Sequence, residues 1–132
     1  MSKYIKLLEA NSIADNDSFL YFLHEKWDFR KDKFIQLCEA IIEITKYDLN
    51  QNRFNVIDRR ISSSINHIHE YILSIFLCEN LFYDIKNLPS YEERLEYVAT
   101  LNKVVSCYFK GLIIEESIED GLNECIDLLN SN

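Results

Sequence analysis

Three observations predict an all-α fold for this chain, a single-domain helical bundle of five to six helices. Only two glycines and one proline occur in 132 residues, whereas sandwiches and barrels need Gly- and Pro-rich turns at short intervals. Apolar residues make up 48% and aromatics 13%, too much for a disordered chain. The apolar positions recur at steps of three and four, the period of helices with one buried face. The length fits one domain over residues 1–132, large enough to bury a continuous core.

The elements follow in order. A short helix is expected over 3–10. Asp15, Asn16, Asp17 and Ser18 offer N-cap oxygens for a second over 18–26, and a connector follows in which Trp27 and Phe29 are expected to dock on the core. A third helix over 31–48 carries Phe34, Leu37, Cys38, Ile41, Ile42 and Thr45 at helical spacing. The fourth reads as the longest and most central, with Phe54, Ile57, Ile61, Ile65, Ile68, Ile72, Ile75 and Phe76 on one face and an end near Glu79. Residues 80–88 are read as an added turn or two before Pro89. Ser90 and Glu93 have the spacing of a capping box opening a helix to about Lys110, with Leu95, Val98, Leu101, Val105 and Tyr108 inward. Gly111 is suited to end it.

The last 22 residues hold six acids, Glu115, Glu116, Glu119, Asp120, Glu124 and Asp127, and no lysine or arginine. They carry −6 of a formal charge of −8. Ile118, Leu122, Cys125, Ile126 and Leu129 are interleaved at helical spacing, so this stretch is expected to be an amphipathic helix with one acidic face. Acids at i,i+4 repel by a few tenths of a kcal/mol per pair, and acids near a helix C-terminus oppose its dipole. A helix kept acidic against those penalties points to a cationic partner, with Glu92, Glu93 and Glu96 as an adjoining acidic group.

The charge argues against direct nucleic-acid binding, which needs a basic face. The basic residues Lys26, Arg30, Lys31 and Lys33 are interrupted by Asp28 and Asp32 and read as a solvated helix start. No apolar run approaches the ~20 residues that span a bilayer, and the N-terminal residues lack signal-peptide character, so no membrane association and a cytoplasmic location are expected. The four cysteines, 40, 29 and 18 residues apart, are expected to be reduced and without metal. No cofactor is expected: the chain has neither a Gly-x-Ser-x-Gly elbow nor a phosphate-binding glycine loop. The expectation is a protein that is not an enzyme. Tyr83, Tyr91 and Tyr97 read as exposed aromatics of the kind that anchor interfaces.

Arg60, Ser63, His67, Tyr71 and Ser74 form a polar stripe on the long helix. Arg60 and His67, with six residues between them, resemble the Arg-x4–6-His motif of HEPN-type ribonucleases, which are small helical bundles acting as dimers. That resemblance implies an arginine holding a phosphodiester and a histidine moving the ribose 2′-hydroxyl proton. Ile61 stands where the family has a polar residue. In type and composition, small, acidic, all-helical and rich in Asn, Ile, Lys and Tyr, the whole chain resembles bacterial immunity proteins of the colicin and contact-dependent growth inhibition systems. That second resemblance implies occlusion of a cationic, nuclease-type toxin domain. A non-catalytic adaptor is the remaining alternative.

Overall fold

The computed structural model describes residues 1–15, 17–51, 58–81, 83–111, 123 and 126–127. Within them lie helices α1 (Ser2–Ser12), α2 (Lys31–Asn50), α3 (Arg59–Phe76) and α4 (Tyr91–Lys110), with a π-helical segment at Tyr21–Glu25. The protein is all-helical, and no strand occurs among the described residues. Helix α1 packs on α2 and α3, and α4 packs on the same two, giving a four-helix arrangement in the order α1, α2, α4, α3.

Helix α2 buries nine residues, Phe34, Ile35, Leu37, Cys38, Ala40, Ile41, Ile42, Ile44 and Thr45. The buried set covers most of its circumference, and Thr45 Oγ1 satisfies itself by donating to the Ile41 carbonyl (2.8 Å). Burial raises the Cys38 thiol well above its ordinary range. Helix α3 buries a narrower stripe, Ile65, Ile68, Ile72, Ile75 and Phe76. The central element is therefore α2 rather than α3, whose isoleucine face is in the core while its opposite side is solvated. Asp58 caps α3 by accepting from the amides of Arg60 (2.9 Å) and Ile61 (3.3 Å). This cap falls inside the stretch that periodicity alone reads as helix. Phe54 and Ile57 lie outside the described residues.

The expected second helix is present, its turns at Tyr21–Glu25 winding as a π-helix, with Ser18 Oγ accepting from Tyr21 N (3.2 Å) at its start and the Phe22 carbonyl accepting from both Lys26 N and Asp28 N. Two further expectations are corrected. Residues 80–88 add no helical turn among those described; Lys86 instead forms an isolated parallel bridge with Asp28. Leu95 is exposed (42%) while its neighbour Arg94 is buried. The guanidinium of Arg94 donates to the carbonyls of Phe76 (3.3 Å), Cys78 (2.9 Å) and Pro89 (2.7 Å). The bonds to Phe76 and Cys78 satisfy carbonyls at the end of α3, where a cation is also favoured by the helix dipole. With Arg94 on the buried face, Leu95 points about 100° further round the helix, off that face. The capping role of Ser90 is met: its hydroxyl accepts from Glu93 N (3.2 Å). Gly111 ends α4 in the left-handed region at φ 63°.

At the centre, five rings from five parts of the chain meet: Phe19, Phe29, Phe34, Phe76 and Tyr97. Their mostly edge-to-face geometry at 5.0 to 6.4 Å, as between Phe34 and Tyr97 or Phe19 and Phe76, is the arrangement aromatic quadrupoles favour. Tyr97, expected to be exposed, is therefore a core residue.

Candidate functional site

Asn11, buried at the end of α1, ties that helix to the next segment. Its Nδ2 donates to the Leu7 carbonyl (3.0 Å) and its Oδ1 accepts from Leu20 N (3.1 Å). This clasp, and the positive φ of Ala14 (53°), set the π-helical segment against α3. Between them lies a cavity of about 270 Å³ lined by Ser12, Ile13, Ala14, Leu20, His24, Glu25, His67 and Tyr71. π-Helical turns recur at functional sites because the widened turn re-aims a side chain. Here it is His24, whose Nδ1 shares a 2.7 Å hydrogen bond with the Tyr71 hydroxyl and whose Nε2 lies 3.8 Å from the Glu25 carboxylate.

Burial, with smaller contributions from Tyr83 and Glu25, pushes the Tyr71 phenol up to about 12. It therefore stays protonated at neutral pH and donates to Nδ1 whenever that nitrogen is bare. His67 lies one turn before Tyr71 on α3 and is exposed. His24, Glu25 and His67 do not assemble into a metal site: no group of three metal-ligating side chains comes together among the described residues.

The Arg60 and His67 pair does not share this cavity. Arg60 Nη2 is bound to Glu9 Oε1 at 2.6 Å, and Arg60 lines a separate depression with Ile5, Leu8, Glu9, Asp58, Ile61 and Ser64. Arg60 is thus paired with a carboxylate of α1 and lines a different depression from the one His67 lines. His69 faces another way again, with Nε2 donating to Asn102 Oδ1 (2.7 Å) and tying α3 to α4.

Of the expected acidic residues, Glu92, Glu93 and Glu96 are exposed on the first turns of α4. Their charge reaches inward: Glu93 and Glu96 add to burial in raising the Tyr97 phenol. Asp127 is exposed and helical beside a buried Ile126, which belongs to the core cluster. Glu115, Glu116, Glu119, Asp120 and Glu124 lie outside the described residues.

Sequence reasoning missed a second feature. Trp27, expected on the core, is 49% exposed and packs on Tyr83, itself 37% exposed, with ring centroids 4.9 Å apart and planes inclined by 39°. Trp27 has φ 48°, an outlier for a bulky side chain. The one available signal was its position between Lys26 and Asp28, a polar setting for a core tryptophan.

No described helix is long and apolar enough to cross a membrane. No protein-family model, curated protein or solved structure matches this chain.

Proposed function

We propose that this chain is an immunity-type inhibitor, a non-catalytic protein that binds a cationic, nuclease-class toxin domain and occludes its active or substrate-binding surface. The observation that carries the reading is the charge distribution, six acids and no base in 22 residues of a chain otherwise near balance. Glu92, Glu93 and Glu96, exposed on α4, extend the same sign. Nuclease toxins need basic surfaces to hold a phosphate backbone. An acidic face competes for that surface and accelerates encounter by steering. Asp127 outward beside Ile126 inward is the alternation such a face requires. The Glu9–Arg60 pair, which removes the arginine of the ribonuclease-like motif from the histidine's cavity, favours the non-catalytic reading.

The test is joint charge reversal of Glu116, Asp120 and Glu124 to lysine. Growth protection against the toxin encoded beside its gene should be lost while the urea unfolding midpoint is kept. The association rate should fall by about 10-fold or more at low salt, converging with wild type as salt rises. Arg60→Ala and His67→Ala should both protect. Full protection by the triple variant would sink the acidic-face reading. RNA cleavage lost in both Arg60→Ala and His67→Ala would install the ribonuclease in its place.

A further inference from the structure

A second cavity, of about 280 Å³, opens where α1, the turn that follows it and the start of α2 meet. Helix α1 contributes Lys6 and Asn11, the turn contributes Asp17 and Ser18, and α2 contributes Lys33 and Gln36. Leu7, Ala10 and Phe19 supply an apolar wall. Asn11 and Ser18 are buried, at 1% and 6% exposure, whereas Lys6 and Asp17 are exposed and Lys33 is half-buried. The charges therefore stand at the rim above a polar floor. A few convergent polar groups beside apolar walls are the make-up of a small-molecule site, and the volume sits at the small end of such sites, which begin at about 300 Å³.

Three of these groups carry charge, and none is neutralised within the protein. Among the described residues Lys6, Lys33 and Asp17 make no ion pair with one another or with any other side chain. Several other cations are paired or covered: Arg60 on Glu9, Lys46 on Glu43, Arg30 over Phe22 and Lys26 over Tyr21. Hydrogen-bonding capacity is left over as well. The Asn11 amide has two hydrogens, of which one goes to the Leu7 carbonyl (3.0 Å) and the other meets no acceptor among the described residues. The Ser18 hydroxyl donates to the Ala10 carbonyl (3.3 Å) and accepts from Tyr21 N (3.2 Å), which leaves it one lone pair. The spare donors Lys6, Lys33 and Asn11 thus lie on the two helices, and the spare acceptors Asp17 and Ser18 on the turn.

We infer that this cavity binds a small acidic α-amino acid. Two carboxylates and one ammonium answer two ammoniums and one carboxylate, sign for sign. The carboxylates go to Lys6 and Lys33, one of them also taking the spare Asn11 hydrogen, and the ammonium goes to Asp17 and Ser18 as charge-assisted hydrogen bonds. The methylenes lie on Leu7, Ala10 and Phe19. A plain anion would leave Asp17 facing like charge, and a neutral amino acid would leave one lysine unanswered, so both are disfavoured by the same three side chains. The site is separate from the proposed inhibitory face and uses none of its residues. Because the ligand joins α1, the turn and α2, its binding also stabilises the clasp that Asn11 makes between α1 and Leu20.

The side-chain amides of Asn11 and Gln36 report the site directly in a nitrogen-labelled NMR titration of the full-length chain. The probes are L-glutamate, L-aspartate, glutarate, L-glutamine and inorganic phosphate, all at one ionic strength. L-glutamate or L-aspartate should shift both amides saturably. Glutarate lacks the ammonium and L-glutamine the second carboxylate, and each should bind about 5-fold more weakly or worse, as should phosphate. Lys6→Gln and Lys33→Gln should weaken the amino acid by a similar factor of about 5. Asp17→Asn should abolish the preference for glutamate over glutarate while glutarate still binds. Each variant is checked for the wild-type unfolding midpoint, and Asp17→Asn, at an exposed position, carries the test if Lys33→Gln unfolds early.

Unmoved amides with both amino acids overturn the inference, and so does glutarate or L-glutamine binding as tightly as they do. A preference for phosphate overturns it in favour of a simple anion site. Unchanged selectivity in Asp17→Asn also overturns it, because the ammonium is then not held by that carboxylate. Amino-acid binding that persists in the joint reversal of Glu116, Asp120 and Glu124 upholds a site apart from the acidic face, and its loss there overturns that assignment.

Discussion

Phe29 and Trp27 sit two residues apart on one connector, and their rings end in opposite environments. Phe29 is buried and meets Phe19, Phe76 and Tyr97. Trp27 is half-exposed and meets Tyr83. Hydrophobicity does not separate them, since indole has the larger apolar area to bury. What separates them is the backbone: the left-handed turn at Trp27 and the bridge to Lys86 aim successive side chains to different sides. The buried cluster gathers one ring from nearly every element and so holds the bundle together. The exposed pair joins two loops and leaves its faces to solvent. One lies in the core and the other at the surface, and each can be broken with little direct effect on the other.

The largest effect belongs to the buried cluster. Phe34 has no exposed surface and touches Phe19, Phe76 and Tyr97. Phe34→Ala should cost about 3–5 kcal/mol through lost transfer energy and the cavity left behind. Urea unfolding should show it as a lower midpoint at unchanged slope. A loss below about 1 kcal/mol would mean that the cluster is not the centre of the core.

Arg94 links the two regions, so its removal should be felt in both. It holds the Phe76 carbonyl at the end of α3 and the Cys78 and Pro89 carbonyls of the loop that carries Tyr83. Arg94→Met keeps the aliphatic stem but leaves three carbonyls without their charged donor. The expected loss is about 2–3 kcal/mol, together with a change in Trp27 emission as the loop relaxes. Arg94→Lys should recover only part of it, because a single ammonium cannot span three acceptors fixed in a fork. Unchanged emission with lowered stability would separate the exposed pair from this anchor.

The sequence showed the bundle well and this second region poorly, for a physical reason. Helical periodicity marks Ile65, Ile68 and Ile72 because side-chain direction repeats along a regular helix. It carries no information at positions whose direction is set by a cap, a bridge or a left-handed residue. Asp58 capping α3 and Trp27 facing solvent are of that kind, whereas Leu95 lies on a regular helix, where the inward reading puts it on the wrong side of the buried face. The His24–Tyr71 contact pairs residues 47 apart in sequence and depends on a π-turn that Tyr-Phe-Leu-His-Glu does not announce. Arg60 and His67 looked aligned because they share a helix face. That spacing could not reveal Glu9 of α1 taking the guanidinium.

The smallest effect is the sharpest test of what places Trp27. Its side chain is partly buried, so Trp27→Ala loses some stability, and the amount does not separate packing from backbone. The comparison of glycine with alanine does. At an ordinary position glycine is the worse residue by roughly 0.5–1 kcal/mol, because it has more freedom to lose on folding. At φ 48° alanine keeps the Cβ clash that glycine lacks, so Trp27→Gly should be more stable than Trp27→Ala by about 1 kcal/mol. Phe29, whose φ is not positive, should show the reverse order, with Phe29→Ala above Phe29→Gly. Four unfolding curves decide it. If alanine wins at both positions, the left-handed turn is not maintained in solution, and the exposure of Trp27 must come from the Tyr83 contact alone.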